Sequence, residues 1–217
     1  MVLRPNKDKI AAILASNTQA VSDMSQGKKQ HNKKTQTGSI RIIAGKHRGR
    51  KLPVLMAEGL RPTTDRVKET VFNWLMPYIH KAHCLDCFAG AGSLGFEALS
   101  RGAEHVTLIE LNKTAAKQLQ ANKVLLKVDN LTIKNSDALA FLSDEPNKTF
   151  DMVFIDPPFR QNLVSKTTQL LAQGWLSDQA LIYLEMETEG EQVLPDNWQL
   201  LKEKIAGQVA YRLYQVQ

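Results

Sequence analysis

Along the second half of the chain, short apolar runs alternate with segments whose apolar residues recur at helical spacing. HCLDCFAG is an apolar run ending in glycine, SLGFEALSRG a helical segment, HVTLIEL a second apolar run and KTAAKQLQANKVLLK a second helical segment. LTIKNSDAL, TFDMVFIDPPF and ALIYLEME supply a third, fourth and fifth strand, with a helix through Val164, Leu170 and Leu171 between the last two. WQLLKEKIAG and QVAYRLYQV follow as two successive strands with no room for a helix between them. Strands alternating with helices form a parallel sheet covered on both faces, and a terminal hairpin makes one late strand antiparallel. The pattern predicts an α/β fold with a mostly parallel sheet.

The amino-terminal part reads differently. Residues 6–24 carry a weak helical pattern through Ile10, Ile13, Leu14 and Val21, and QGKKQHNKKTQTG after it has no large apolar group. Residues 1–37 are therefore expected to be a basic, mostly disordered extension. SIRIIAG and GRKLPVL flank the turn KHRGR and predict a basic β-hairpin over 38–58. RPTTDRVKETVFNWLMP opens residues 59–217: Thr or Asp caps a helix with Val67, Val71, Trp74 and Leu75 at helical spacing, and Pro77 ends it.

At 217 residues and 43% apolar content the chain suffices for one core of ordinary size. No run approaches the ~18 apolar residues of a membrane span, and MVLRPNKDKI lacks the apolar stretch of a secretion signal, so the expected location is the cytoplasm and no membrane partner is expected. Cys84 and Cys87 have C-x-x-C spacing, but no second pair completes a zinc site and one strand sends them to opposite faces. They are read as structural, and no metal site is expected. The net charge of +6 is unevenly spread: residues 1–60 hold twelve Lys or Arg against three acids, a net of +9, leaving −3 for the remainder. That asymmetry suits a polyanion-binding arm, or a solubilising tail.

Candidate chemistry lies at two strand ends. Gly90-Ala91-Gly92-Ser93-Leu94-Gly95 is a G-x-G-x-x-G after a strand and before a helix, and Glu110 closes the next strand twenty residues after Gly90. An acid at that offset holds ribose hydroxyls in nucleotide-binding folds. Both dinucleotides and S-adenosylmethionine use such a loop. Asp156-Pro157-Pro158-Phe159 at the end of the fourth strand separates them. The prolines fix the backbone, the Asp side chain and a Pro carbonyl accept hydrogen bonds from an exocyclic NH2, and the ring stacks on a base. Asp137 is placed either to bond an adenine amino group or to cap a helix, and Asp86 either to face the methionine end of the cofactor or to accept from backbone donors. Arg41, Lys46, His47, Arg48, Arg50 and Lys51 form a patch expected beside the site, suited to phosphate contacts.

RPTTDRVKETVFNWL, LDCFAGAGSLGFEALSRGA and DPPF, in this order and spacing, resemble the bacterial RsmD family of ribosomal RNA guanine-N2 methyltransferases, from about Ser39 to the carboxyl end. The resemblance implies a seven-stranded class I methyltransferase fold, S-adenosylmethionine as methyl donor, and a guanine of small-subunit ribosomal RNA as substrate within a partly or fully assembled subunit. By motif, Thr63, Thr64 and Arg66 would cover the methionine end of the cofactor. Gly90 and Gly92 would pass beneath it and Glu110 would take the ribose, with Phe88, Leu111 and Ala138 completing the cofactor-binding set. Asp156 to Phe159 would hold the guanine. Cys87 departs from the family, standing where a larger aliphatic residue is usual. Two other readings are adenine-N6 methylation of DNA or RNA, since the tetrapeptide serves any exocyclic amine, and a non-catalytic RNA-binding assembly factor. A monomer is the expected state.

Overall fold

The structure, a computed structural model, describes residues 37–55, 65–159, 161–188 and 193–217. The chain divides into two units, 1–35 and 36–217, and every described residue lies in the second. The expected amino-terminal helix and disordered extension fall outside the described residues.

Strands β1 (Thr37–Arg41) and β2 (Lys51–Leu55) pair antiparallel as the predicted hairpin, Arg41 opposite Lys51. Helix α1 (Asp65–Leu75) follows. The main sheet then builds through β3 (His83–Asp86), α2 (Ser93–Ser100), β4 (His105–Ile109), α3 (Lys113–Leu126) and β5 (Leu131–Lys134). It continues through α4 (Ala138–Ser143), β6 (Phe150–Ile155), α5 (Leu163–Leu171), β7 (Leu176–Glu187), β8 (Trp198–Ala206) and β9 (Val209–Val216). The strand order is β5-β4-β3-β6-β7-β9-β8, with β9 antiparallel to both its neighbours. This is the expected seven-stranded sheet with one reversed strand. The short helix α4 has no counterpart in the periodicity, and β7 begins at Leu176, ahead of the apolar run, because Phe150 pairs with Leu176 before a register shift.

Alternation along the strands splits the core between the two sheet faces. Cys84, Phe154 and Tyr183 belong to one apolar cluster, while Leu85, Cys87, Ile155 and Leu184 belong to the other. The two cysteines are thus on opposite faces, both are free, and burial pushes both thiols well above their usual range.

Five buried polar side chains fix the parts to one another. Asp86 is buried at the end of β3, where its carboxylate accepts from the backbone N–H groups of Gly95 and Phe88. It therefore clamps the turn between β3 and α2. Further along α2, fully buried Glu97 accepts from the backbone of Ile43 at 2.7 Å and Ala44 at 3.0 Å, and from Arg101 Nε at 2.7 Å. Ser100 completes this fastening: its hydroxyl donates to Ala44 O, and its carbonyl accepts from Lys46 N at 2.7 Å. Gly45 crosses here with φ +81°, and a Cβ on it would stand 1.8 Å from Ser100 O, so no other residue fits. Buried Lys68 of α1 donates to Arg41 O at 2.6 Å and sits 3.3 Å from Asp65, which also pairs with Arg41 at 2.7 Å. On the other side of the hairpin, Asn122 of α3 donates to Pro53 O at 3.0 Å.

Glu97→Ala leaves two backbone donors and a guanidinium without their acceptor in a dry interface. Urea denaturation is expected to show a loss of about 3 kcal/mol, and a variant within about 0.5 kcal/mol of the parent, the scatter of a surface change, would contradict the anchoring role. A second expectation concerns pH. Burial raises the Asp86 carboxyl from 3.8 to about 7, with the charge of Glu110 adding to it and the two backbone bonds opposing. Between those values the unfolded chain holds fewer protons at this group than the folded one, so its contribution to stability declines as pH rises from 3.8 to about 7. The wild-type stability curve should fall relative to that of Asp86→Asn by up to about 1.4 kcal/mol per pH unit, measured by thermal or urea melts; parallel curves would refute the shift.

Candidate active site

The glycine loop is shaped by contacts from below and from the side. Gly92 takes the left-handed conformation, φ 77°, and a Cβ there would lie 2.6 Å from the Phe96 ring and 2.7 Å from Leu119. Gly95 lets α2 approach the sheet: its Cβ would be 2.2 Å from Leu108 of β4, the close helix–strand packing that the third glycine of such a loop permits. Glu110, just past β4, accepts from Gly90 N at 2.8 Å through one oxygen and from Asn112 N at 2.7 Å through the other. Each oxygen keeps a second lone pair for a ligand hydroxyl.

A cavity of about 1040 Å³ opens at this carboxyl edge of the sheet. One wall carries Phe88, Gly90, Glu110, Leu111, Asp137 and Ala138. Asp137 also caps α4, accepting from Ala140 N at 2.9 Å, so both uses considered for it are structurally compatible. The hydroxyl of Ser93 at the start of α2 is buried beside the cavity without a hydrogen-bond partner among the described residues. The cavity is also lined by Asp156, Pro157, Pro158 and Phe159, by Arg66 and Thr70 of α1 and by Lys204 and Ile205 near the β8–β9 turn. Phe159 is 44% exposed, a ring left free to stack.

Most residues singled out from the sequence therefore meet around one space. Asp86 and Gly92 do not line it: Asp86 lies beneath the loop holding Phe88 and Gly95, and Gly92 is turned toward Phe96 and Leu119. Thr63 and Thr64 lie outside the described residues. The basic hairpin calls for a correction. Val54 of β2 reaches the cavity, but the turn carrying Lys46, His47 and Arg48 is fastened to Ser100, at the end of α2 remote from the glycine loop. The turn is set one helix length away from the glycine loop, because Glu97 and Ser100 face the hairpin from the last turns of α2, whereas Arg41 of the same patch pairs with Asp65, the neighbour of cavity-lining Arg66. Within it, Lys46, Arg48 and Lys51 are exposed, Arg41 is paired with Asp65, and exposed Arg50 donates to Leu125 O at 3.1 Å. Partial burial, then Lys46 and Arg50, lower the pKa of His47, so at neutral pH the positive charge of the patch belongs to its Lys and Arg.

Sequence reasoning missed Glu185 and Tyr211, which line the cavity from β7 and β9 as register partners. The available signal was an acid late in the apolar run ALIYLEME, where Glu185 and Glu187 share one strand face and only Glu185 lines the cavity. Burial, then the charges of Glu185 and Asp86, hold the Asp156 carboxyl above the usual range; burial also raises Glu185, opposed by the Tyr183 hydroxyl, which donates to it at 3.2 Å. The cavity wall is thus rich in hydrogen-bond acceptors, suited to amino and imino hydrogens. Among the described residues, no cluster of His, Cys, Asp and Glu can hold a metal ion, and no helix is long and apolar enough to cross a membrane.

Comparison with known proteins agrees with this geometry. Residues 40–215 match the family described as Conserved hypothetical protein 95. A Haemophilus influenzae protein named ribosomal RNA small subunit methyltransferase D is 56% identical over 84% of this chain and 99% of its own length. The Escherichia coli protein of the same name is 56% identical over 82% of this chain and 91% of its own. The solved structure of Escherichia coli yhhF, assigned as a methyltransferase, superposes with a TM-score of 0.77 at 56% identity, covering 82% of this chain and 98% of that one. A Thermus thermophilus 16S rRNA N2 methyltransferase solved with AdoMet and guanosine shares the fold, with a TM-score of 0.62 at 18% identity over 84% of this chain and 50% of that one. With a profile match across most of its length and relatives this similar, the chain belongs to the RsmD family of ribosomal RNA small subunit methyltransferases.

Proposed function

We propose that this chain transfers the methyl group of S-adenosylmethionine to the exocyclic N2 amine of a guanine in 16S ribosomal RNA. It acts as a cytoplasmic monomer on a partly or fully assembled small subunit. The observation that carries the reading is that Asp156 to Phe159 line the same cavity as the glycine loop and Glu110. The relatives named as small-subunit methyltransferases support ribosomal RNA as the substrate class.

The cavity residues fit the cofactor. Phe88, Leu111 and Ala138 offer apolar surface to an adenine, Asp137 an acceptor for its amino group, and Glu110 its remaining lone pairs to ribose hydroxyls. Ser93 has an unused hydroxyl at the loop, and Arg66, which lines the same cavity, is the cation available to the methionine end. When bound, S-adenosylmethionine supplies an electrophilic methyl group on a sulfonium. Asp156 and a proline carbonyl accept the two N2 hydrogens, fixing the nitrogen lone pair toward that methyl, while Phe159 stacks on the base. Orientation supplies most of the acceleration. The nitrogen sheds a proton as it is alkylated, and a carboxylate whose pKa is held above the usual range is the better acceptor for it.

The test is transfer of radiolabelled methyl to small subunits from a strain lacking this gene, followed by nucleoside analysis and mapping of the modified position. N2-methylguanosine is expected; label in adenine would support amino methylation of the other purine, and no label would overturn both. Asp156→Ala should lower turnover by about a hundredfold or more, on the scale of losing one oriented hydrogen-bonding group at the reacting centre. Cofactor affinity by calorimetry should stay close to wild type; a large loss there would reassign Asp156. Replacing Arg48, Arg50 and Lys51 together with Ala should raise KM, leave kcat near wild type and reduce the salt slope of RNA binding by roughly 0.7 for each phosphate no longer neutralised. An unchanged slope would exclude this patch from RNA binding.

A further inference from the structure

Glu185 on β7 has no part in the reading above, yet its position is well defined. Ile155 pairs with Leu184, so Asp156 and Glu185 follow at the same level on neighbouring parallel strands, roughly 4.8 Å apart in the hydrogen-bonding direction. They also face the same way. Phe154 and Tyr183, two residues before each, meet on one sheet face with ring centroids 6.4 Å apart, and side chains two apart on a strand share a face. Tyr183 Oη engages one Glu185 oxygen, Oε2, and β9 sets Tyr211 opposite Glu185 on its other flank. Both acids line the cavity on its DPPF side.

Two half-buried carboxyl groups side by side are unfavourable for folding alone, since each resists the ionisation of the other. The arrangement makes sense when a ligand edge with two adjacent donors lies against it. Guanine has such an edge, N1–H beside the N2 amine, whereas adenine presents a bare acceptor at N1. Resting on the guanine-N2 reading above, we propose that Glu185 reads the target base, accepting from guanine N1–H while Asp156 orients the neighbouring N2 amine. Glu185 is then the residue that selects guanine. Asp156 and the prolines accept from any exocyclic amine and cannot make that choice. Adenine turned into the same position would place its N1 lone pair against the Glu185 oxygen, losing a hydrogen bond and adding a repulsion.

The test uses small subunits reconstituted with guanine or 2-aminopurine at the position mapped above. 2-Aminopurine keeps the 2-amino group and replaces N1–H with an acceptor. Wild-type enzyme should prefer guanine in kcat/KM by on the order of tenfold to a hundredfold, the worth of a charge-assisted hydrogen bond. Glu185→Gln carries an amide that can donate to the N1 acceptor, so its preference should collapse or invert while cofactor affinity and melting temperature hold. A wild-type enzyme that methylates both bases equally would overturn the proposal without any variant. So would a Glu185→Gln enzyme that keeps the wild-type ratio, or one that loses activity on both bases in proportion to a loss of cofactor affinity. If the wild type forms no N2-methylguanosine at all, the guanine reading itself fails, and that result is separable because it appears before any base is exchanged.

Discussion

A carboxylate with no access to solvent holds this molecule's working parts in register. Asp86 accepts from the backbone at Phe88 and at Gly95, which fixes both ends of the glycine loop to the end of β3. Once α2 starts where that bond puts it, Gly95 can lie on Leu108 and the helix sits close against the sheet. Glu97 and Ser100 then present themselves to the hairpin at fixed positions, and through Arg41 the hairpin meets Asp65 and Lys68 of α1. Without the first contact the later ones have no common frame. An isolated ion in such a place would be costly, and the two backbone donors are what make it tolerable.

The cavity at the carboxyl edge divides its tasks between strands. The β3–β4 side combines apolar surface with one oriented carboxylate, Glu110, whose two oxygens are already anchored to Gly90 and Asn112. That anchoring removes rotamer freedom before any ligand arrives. The β6–β7 side is instead a row of acceptors, backed by the ring contacts of Phe72, Phe154 and Tyr183 that keep the strand ends from shifting. Rigid prolines on one strand and a tyrosine-braced glutamate on the next leave little that must reorganise during reaction.

What could be read from the chain follows from how local each signal is. The strand–helix alternation, the glycine loop with Glu110, and DPPF are encoded within short windows, and each lies where periodicity placed it. The reversed β9 followed from the absence of a helix between the last two apolar runs. Glu97 and Lys68 were illegible, because a charged residue in a helix reads as solvent-facing and only a distant tertiary partner makes it an anchor, 53 or 54 residues away for Glu97 and 27 for Lys68. For Asp86 the sequence favoured facing the methionine end of the cofactor over accepting from backbone donors, and burial beneath the loop decides its geometry. The bulge that extends β7 back to Leu176 and the short helix α4 are set by packing on neighbours, which no window of adjacent residues contains. The basic turn sits away from its expected place for a related reason: nearness in sequence to α1 says nothing about which end of α2 receives it.

The fastening of Gly45 and Lys46 to Ser100 turns α2 into a caliper. Its eight residues separate the glycine loop from the basic turn by roughly 12 Å of nearly incompressible helix. Any polyanion seated on that turn is held at a set span from the loop, irrespective of the sequence it carries. A single residue added to this helix would lengthen the span by about 1.5 Å and swing the turn by roughly 100° around the helix axis. One short helix thus fixes the separation of the glycine loop from the basic turn.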